Sequence, residues 1–249
     1  MTDALIAGGW GLLAGSALLL GALAGYALRV PTRLVALVMA FGSGVLLSAV
    51  SFELIAEAHE RAGLVPTALG ALAGAALYTG ANVALARHGA RHRKRSGHQQ
   101  PSEDEHPGSG NAIALGALLD GVPESVVIGV SLLGGGGVSA ATVGAVFVSN
   151  VPEGLSSAAG MRRAGRSRGY VFGLWGGITL VSAVAALLGR TVLGGVPPQA
   201  LAAVTALAGG AILAMIADTM IPEAFEEAHL LTGLVTVAGF LAAFALSHV

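Results

Sequence analysis

The residues of this sequence most able to do chemistry sit in two short segments, Asp120-Gly121-Val122-Pro123-Glu124 and Ser149-Asn150-Val151-Pro152-Glu153, which share the ending Val-Pro-Glu. On a helix, positions i and i+4 lie on one face, so Asp120 pairs with Glu124 and Ser149 with Glu153. Each proline lacks an amide hydrogen and disturbs the helical bond to the residue four before it. The carbonyls of Leu119 and Val148 are thereby freed toward a cavity or an ion. Three carboxylates close together in a low dielectric repel one another, and they either take up protons or hold a cation. A divalent metal resolves that repulsion. The ligand set Asp120, Glu124, Asn150 and Glu153, with Ser149 as a fifth candidate, is all oxygen and suits Mg, Mn, Fe(II) or weakly held Zn better than Cu(I). The alternative is that these acids are protonated or hydrogen-bonded fillers between helices.

The elements that must position them are set by composition. Of 249 residues, 54% are hydrophobic and 11% charged, and the mean hydropathy is +0.77, which makes lipid the implied solvent. With no cysteine and a net charge of −1, disulfides and thiolate metal sites are excluded and no nucleic-acid footprint is present. A membrane crossing takes about 20 apolar helical residues. Eight such stretches are expected, over 4–28, 34–58, 64–86, 111–133, 138–161, 170–193, 199–223 and 230–248. Helices follow, and not a barrel, because the runs are continuously apolar and do not alternate. The 38 glycines, as in Gly21-xxx-Gly25, Gly70-xxx-Gly74 and Gly173-xxx-Gly177, fit close helix approach. The apolar run after Met1-Thr2-Asp3 lacks a basic leader and is read as a retained first span.

The chain divides into spans one to three (1–86), a basic, histidine-containing cytoplasmic loop (87–110), spans four and five with the site (111–163), and spans six to eight (164–249). The loop carries Arg91-His92-Arg93-Lys94-Arg95 and then Glu103-Asp104-Glu105, and it is expected to be disordered. Threading eight spans puts all but Arg61 and Arg190 of the 13 Lys and Arg residues on one side. That side is cytoplasmic by the positive-inside rule, so both termini are expected outside. The segment from Gly44 to Glu60 resembles that from Gly210 to Glu226, and the threading runs the two in opposite directions, as in an inverted repeat.

Other polar groups are candidates for a pathway: Glu53 and Glu57, with His59 and Glu60, at the outer end of span two; Asp218 and Glu223, with Glu226, Glu227 and His229, toward the inner end of span seven. His88, His92, His98 and His106 lie in the loop, as metal contacts or as solvated polar residues. Trp10, Trp175, Tyr26, Tyr78 and Tyr170 are expected as interfacial anchors or packing residues. Gly134 to Gly137 is an outer loop without the Lys-Ser/Thr of a phosphate cradle.

On these motifs the chain resembles the ZIP family of divalent-metal transporters, with Pro123-Glu124 and Asn150-x-Pro152-Glu153-Gly154 standing where the family carries His-Asn-x-Pro-Glu. The resemblance implies an all-α membrane protein in a 3+2+3 arrangement, with spans one to three and six to eight as inverted repeats, and transport of a divalent metal into the cytosol. Asp120 replaces the motif histidine of span four, Gly121 its asparagine, and Ser149 the histidine of span five. No acid lies between Glu153 and Asp218, so one oxygen-ligated site is expected in place of a two-metal centre. The sequence reading is thus a plasma-membrane transporter, not an enzyme, with the metal ion as substrate, no cofactor, lipid and metal as partners and a homodimer left open. The rivals are a transport-incompetent sensor or scaffold and an intramembrane metal-dependent enzyme. With Ser96→Cys and Gly135→Cys in intact cells, an impermeant thiol reagent is expected to label the second alone; labelling of the first overturns the orientation.

Overall fold

The computed structural model describes residues 2–95, 100–102, 104–134 and 140–247, and within them all regular structure is helical. Ser96, His98, Glu103, Gly135 to Gly137 and His248, which figure in the sequence reading, lie outside the described residues. Helix α1 covers Thr2–Ala27. Helices α2 (Thr32–Ala49) and α3 (Glu57–Ala62) are joined by a π-helical stretch, Val50–Ala56. Helix α4 (Leu64–Leu85) runs into a second π stretch, Ala86–Ala90, which breaks at His88 and Gly89 (φ +96°). Then come α5 (Ser109–Ser131), α6 (Ala140–Arg163) and α7 (Arg168–Leu193). Helices α8 (Pro198–Met215) and α9 (Ile221–Ala228) are joined by a third π stretch, Ile216–Met220, and α10 covers Leu231–Leu246.

Six of these continuous helical stretches are long and apolar enough to cross a membrane: Asp3–Ala27, Thr32–Ala62, Leu64–Ala90, Ser109–Ser131, Arg168–Leu193 and Pro198–Ala228. Their outer faces remain apolar, with Leu64, Leu69, Leu72 and Leu77 exposed along α4 and Leu180, Val184, Leu188 and Val192 along α7. Such faces have no place in water at this density and mark the chain as membrane-embedded. The other two expected spans exist as helices but fall short by composition or length. Helix α6 spends its interior on Ser149, Asn150, Glu153, Ser156 and Ser157, all buried. Helix α10 has 16 residues, about 24 Å at the usual rise.

Two packing relations repeat with one geometry. Helix α2 packs on α10, and α4 packs on α8. At the first interface a Cβ on Gly44 would strike the Thr236 carbonyl, and one on Gly239 the Phe41 carbonyl. At the second, a Cβ on Gly210 would strike the Ala71 carbonyl, and one on Gly74 the Leu207 carbonyl. In all four helices the struck carbonyl lies three residues before that helix's own glycine. Gly44 and Gly210 are also the residues that begin the two similar sequence segments, and the helical stretches that contain them, Thr32–Ala62 and Pro198–Ala228, each run α, π, α over 31 residues. The main core lies where these helices meet, around Met39, Leu46, Tyr78, Ile212, Met215 and Met220. A second core joins α1, α5, α6 and α7 around Leu18, Ile113, Met161 and Trp175.

The connection expected to be disordered departs from expectation over its described residues. Arg93, Lys94 and Gln100 are buried, because each finds polar partners on the surrounding helices. Replacement of Gly210 by Leu is expected to force α4 off α8 and to cost about 1–3 kcal/mol or more, as overpacking does. Gly176→Leu, at an open position, is expected to be neutral; thermal unfolding in detergent compares the two.

Candidate functional site

Helices α5 and α6 both continue through their prolines, Pro123 and Pro152. They carry all five expected site residues into the interior: Asp120, Glu124, Ser149, Asn150 and Glu153 are each no more than 5% exposed. The five have different neighbours. The Ser149 hydroxyl donates back to the Val146 carbonyl at 2.9 Å, and the Asn150 amide donates to the Ala14 carbonyl on α1 at 2.9 Å. Asn150 therefore ties α6 to α1, and the Ser149 hydrogen is spent within its own helix. Glu124 and Glu153 lie within electrostatic reach of each other and of Asp120.

The basic run supplies the counter-charge. Arg93 grips Asp120 with two bonds, Nε to Oδ2 at 2.9 Å and Nη2 to Oδ1 at 2.8 Å, the paired geometry that makes guanidinium–carboxylate contacts strong. Its Nη1 donates to Asn82 at 2.7 Å, and the Tyr78 hydroxyl donates to Asp120 Oδ1 at 2.6 Å. Lys94 Nζ lies 3.0 Å from Glu153 Oε2 and 3.4 Å from Asp120 Oδ2, with its side chain 4% exposed. Burial pulls the Lys94 ammonium down, but the Asp120 and Glu153 carboxylates more than offset this and hold it above the ordinary lysine range. Arg95 continues the series, 3.3 Å from Glu223 and paired with Glu226.

The loop backbone has prepared seats. A Cβ on Gly116 would run into the Arg93 side chain, and one on Gly160 into the Arg95 carbonyl and Gln100. Gln100 Nε2 lies 2.9 to 3.1 Å from the carbonyls of Arg93, Arg95 and Ser157. The Ser156 hydroxyl lies between the Lys94 carbonyl and Glu223 Oε1, 2.9 Å from the latter.

At the other end of α5 an open cavity of about 330 Å³ is lined by Glu53, Glu57, Glu60, Val127, Thr142 and Thr205. Val127 is one helical turn beyond Glu124, so α5 holds Asp120 and Glu124 between this acidic cavity and the basic loop. The Thr142 hydroxyl reaches Glu53 at 3.4 Å, and Glu57 pairs with Arg61.

Of the expected pathway groups, Glu53 and Glu57 line this cavity and Glu223 is buried against Arg95 and Ser156. Asp218 is exposed, with Thr79 on α4 at 3.5 Å. His88 Nδ1 lies 2.9 Å from the Ala84 carbonyl. Burial, then Arg95 and Arg91, push the His92 imidazole down. Among the described residues no three His, Asp or Glu side chains converge to hold a metal; at this point Lys94 bridges Asp120 and Glu153. Tyr78, expected as an anchor or packing residue, packs in the main core and is in addition a polar partner of Asp120. Arg93, Lys94, Asn82, Ser156 and Gln100 were not anticipated as site residues. Three consecutive cations in a chain with so few charges were the one available signal.

Comparison with family models and with curated proteins gave no match, so the site stands on its geometry. Asp120→Asn is expected to strand Arg93 as a buried, uncompensated charge at a cost of about 3–5 kcal/mol. Arg93→Met in the same chain is expected to recover much of that loss in thermal unfolding. Additive losses instead would show that the pair is not coupled.

Proposed function

We propose that the protein moves a divalent metal cation across the plasma membrane into the cytosol by alternating access, through a site formed by Glu124 and Glu153. The observation that carries this reading is the pairing of those two buried carboxylates, each one residue after a proline on α5 and α6, between an acidic cavity and a basic loop. Asp120 is balanced by Arg93, which leaves two acids to match a doubly charged ion. The ligands are then oxygen, the hard set that favours Mn, Fe(II) or Zn over Cu(I).

Eight crossings are part of this proposal, with α6 and α10 completing the set and both termini outside. The matching glycine contacts of α2–α10 and α4–α8, and the matching α, π, α build of the two 31-residue stretches, support the ZIP-like 3+2+3 arrangement with inverted repeats. Polar α6 is tolerable at membrane depth because its polar residues are buried in protein. Glu53, Glu57 and Glu60 would gather cations at the outer mouth, and Glu223 would lie on the exit side.

A second reading, a metal sensor or scaffold that transports nothing, is favoured by the cations already seated on Asp120 and Glu153. Uptake into proteoliposomes separates the two. Wild-type protein is expected to load vesicles with Mn(II), Zn(II) or Fe(II), and both Glu124→Gln and Glu153→Gln to lose nearly all uptake, the first while unfolding near the wild-type temperature and the second with some loss of stability because Lys94 loses its nearest carboxylate. Undiminished uptake in either variant removes that acid from the site.

A further inference from the structure

We propose that Lys94 is the specificity-determining residue of the site: a tethered cation that holds the place of the transported ion and yields it to divalent but not monovalent cations. The inference rests on the metal-transport reading and adds to it the group that the metal must displace.

Four observations carry it. The ammonium is buried within 3.0 Å of Glu153, an acid of the proposed site, and 3.4 Å of Asp120, so a metal bound to Glu153 would have to take its place. Its neighbours in sequence continue the pairing toward the end of the bundle, with Arg93 on Asp120 and Arg95 on Glu223 and Glu226. The three cations thus follow the acids from mid-helix to the loop side in one register. The run lies in a fitted groove, since Gly116 and Gly160 leave room for Arg93 and for the Arg95 backbone. Finally, α4 breaks at His88 and Gly89 (φ +96°) immediately before the run, which gives the segment a pivot that does not require unwinding a helix.

The selectivity follows from charge and tethering. A group held on the same chain competes at an effective concentration in the millimolar range, and it has already lost its hydration on folding. Sodium or potassium brings the same single charge, must shed its own water, and gains nothing over Lys94. A divalent ion brings twice the charge to Glu124 and Glu153 and can win. Because the metal-competent state is only the fraction with Lys94 withdrawn, apparent affinity is lowered by that fraction.

The test uses the full-length protein with Mn(II) or Zn(II) as probe. Trypsin cleavage after Arg93, Lys94 and Arg95, read by mass spectrometry, is expected to be slow in chelator, unchanged by about 100 mM NaCl or KCl (about a hundred times a millimolar competitor), and accelerated by the divalent ion. In proteoliposomes Lys94→Met, which keeps length without charge, is expected to take up metal with a half-saturating concentration lower by about tenfold, and to become inhibitable by sodium. Lys94→Arg is expected to stay insensitive to sodium. If uptake saturates while cleavage does not respond to metal, or if Lys94→Met matches wild type in both affinity and sodium response, Lys94 is not the displaced group and the transport reading stands without it. If metal exposes the run but no variant transports, the displacement holds and transport fails. If neither cleavage nor uptake responds to metal in wild type or Lys94→Met, both are overturned.

Discussion

Everything at the centre of this protein depends on how three carboxylates are kept inside a bundle of apolar helices. Asp120, Glu124 and Glu153 are buried side chains in a chain with few charges, and unpaired anions there would cost several kcal/mol each. Arg93 and Lys94 supply the compensation from a segment outside the spans. Asp120 is the most fully satisfied, with two guanidinium contacts and the Tyr78 hydroxyl. Glu153 shares the Lys94 ammonium. Glu124 Oε1 is buried with no hydrogen-bond partner among the described residues, which makes it the acid with most to gain from an incoming cation.

The scaffold around these groups is built for close approach. Glycines on α2, α4, α8 and α10 let backbone meet backbone, in lipid where packing and not water exclusion drives association. The two stretches that pair in this way both change from α to π winding midway, a feature that recurs at functional sites because it re-aims side chains without ending the helix. In one of them it places Glu53 at the mouth of the acidic cavity. Helix α5 then joins the two ends of the site: Val127 and Ser131 line the cavity, Asp120 and Glu124 lie midway, and Gly116 seats the loop. The arrangement has an open cavity on the acidic side and cations on the other, which is what one state of the proposed alternating-access cycle would require.

Much was legible in the sequence. Lipid as solvent followed from hydropathy, helices from unbroken apolar runs, and the burial of Asp120, Glu124, Ser149, Asn150 and Glu153 from their spacing around two prolines within apolar segments. Helical periodicity and transfer energy act over a few turns, so local sequence determines them. The likeness between the segments at Gly44 and Gly210 was visible for the same reason, since close helix approach demands a glycine at a fixed offset.

What the tertiary structure alone decided is which charge meets which. Arg91 to Arg95 read as a solvated, disordered run, because charge-rich segments have too little apolar surface to fold by themselves. That argument fails when the partners of the charges are distant in sequence: Asp120, Glu153 and Glu223 come from three helices, and nothing local announces that their acids line up with Arg93, Lys94 and Arg95. The same holds for Tyr78, a packing residue of the main core whose hydroxyl is also polar glue for Asp120, and for Asn150, turned away to α1. Burial of an acid can be inferred from its neighbours along the chain; the identity of its counter-charge is set by long-range contacts that only the assembled bundle specifies.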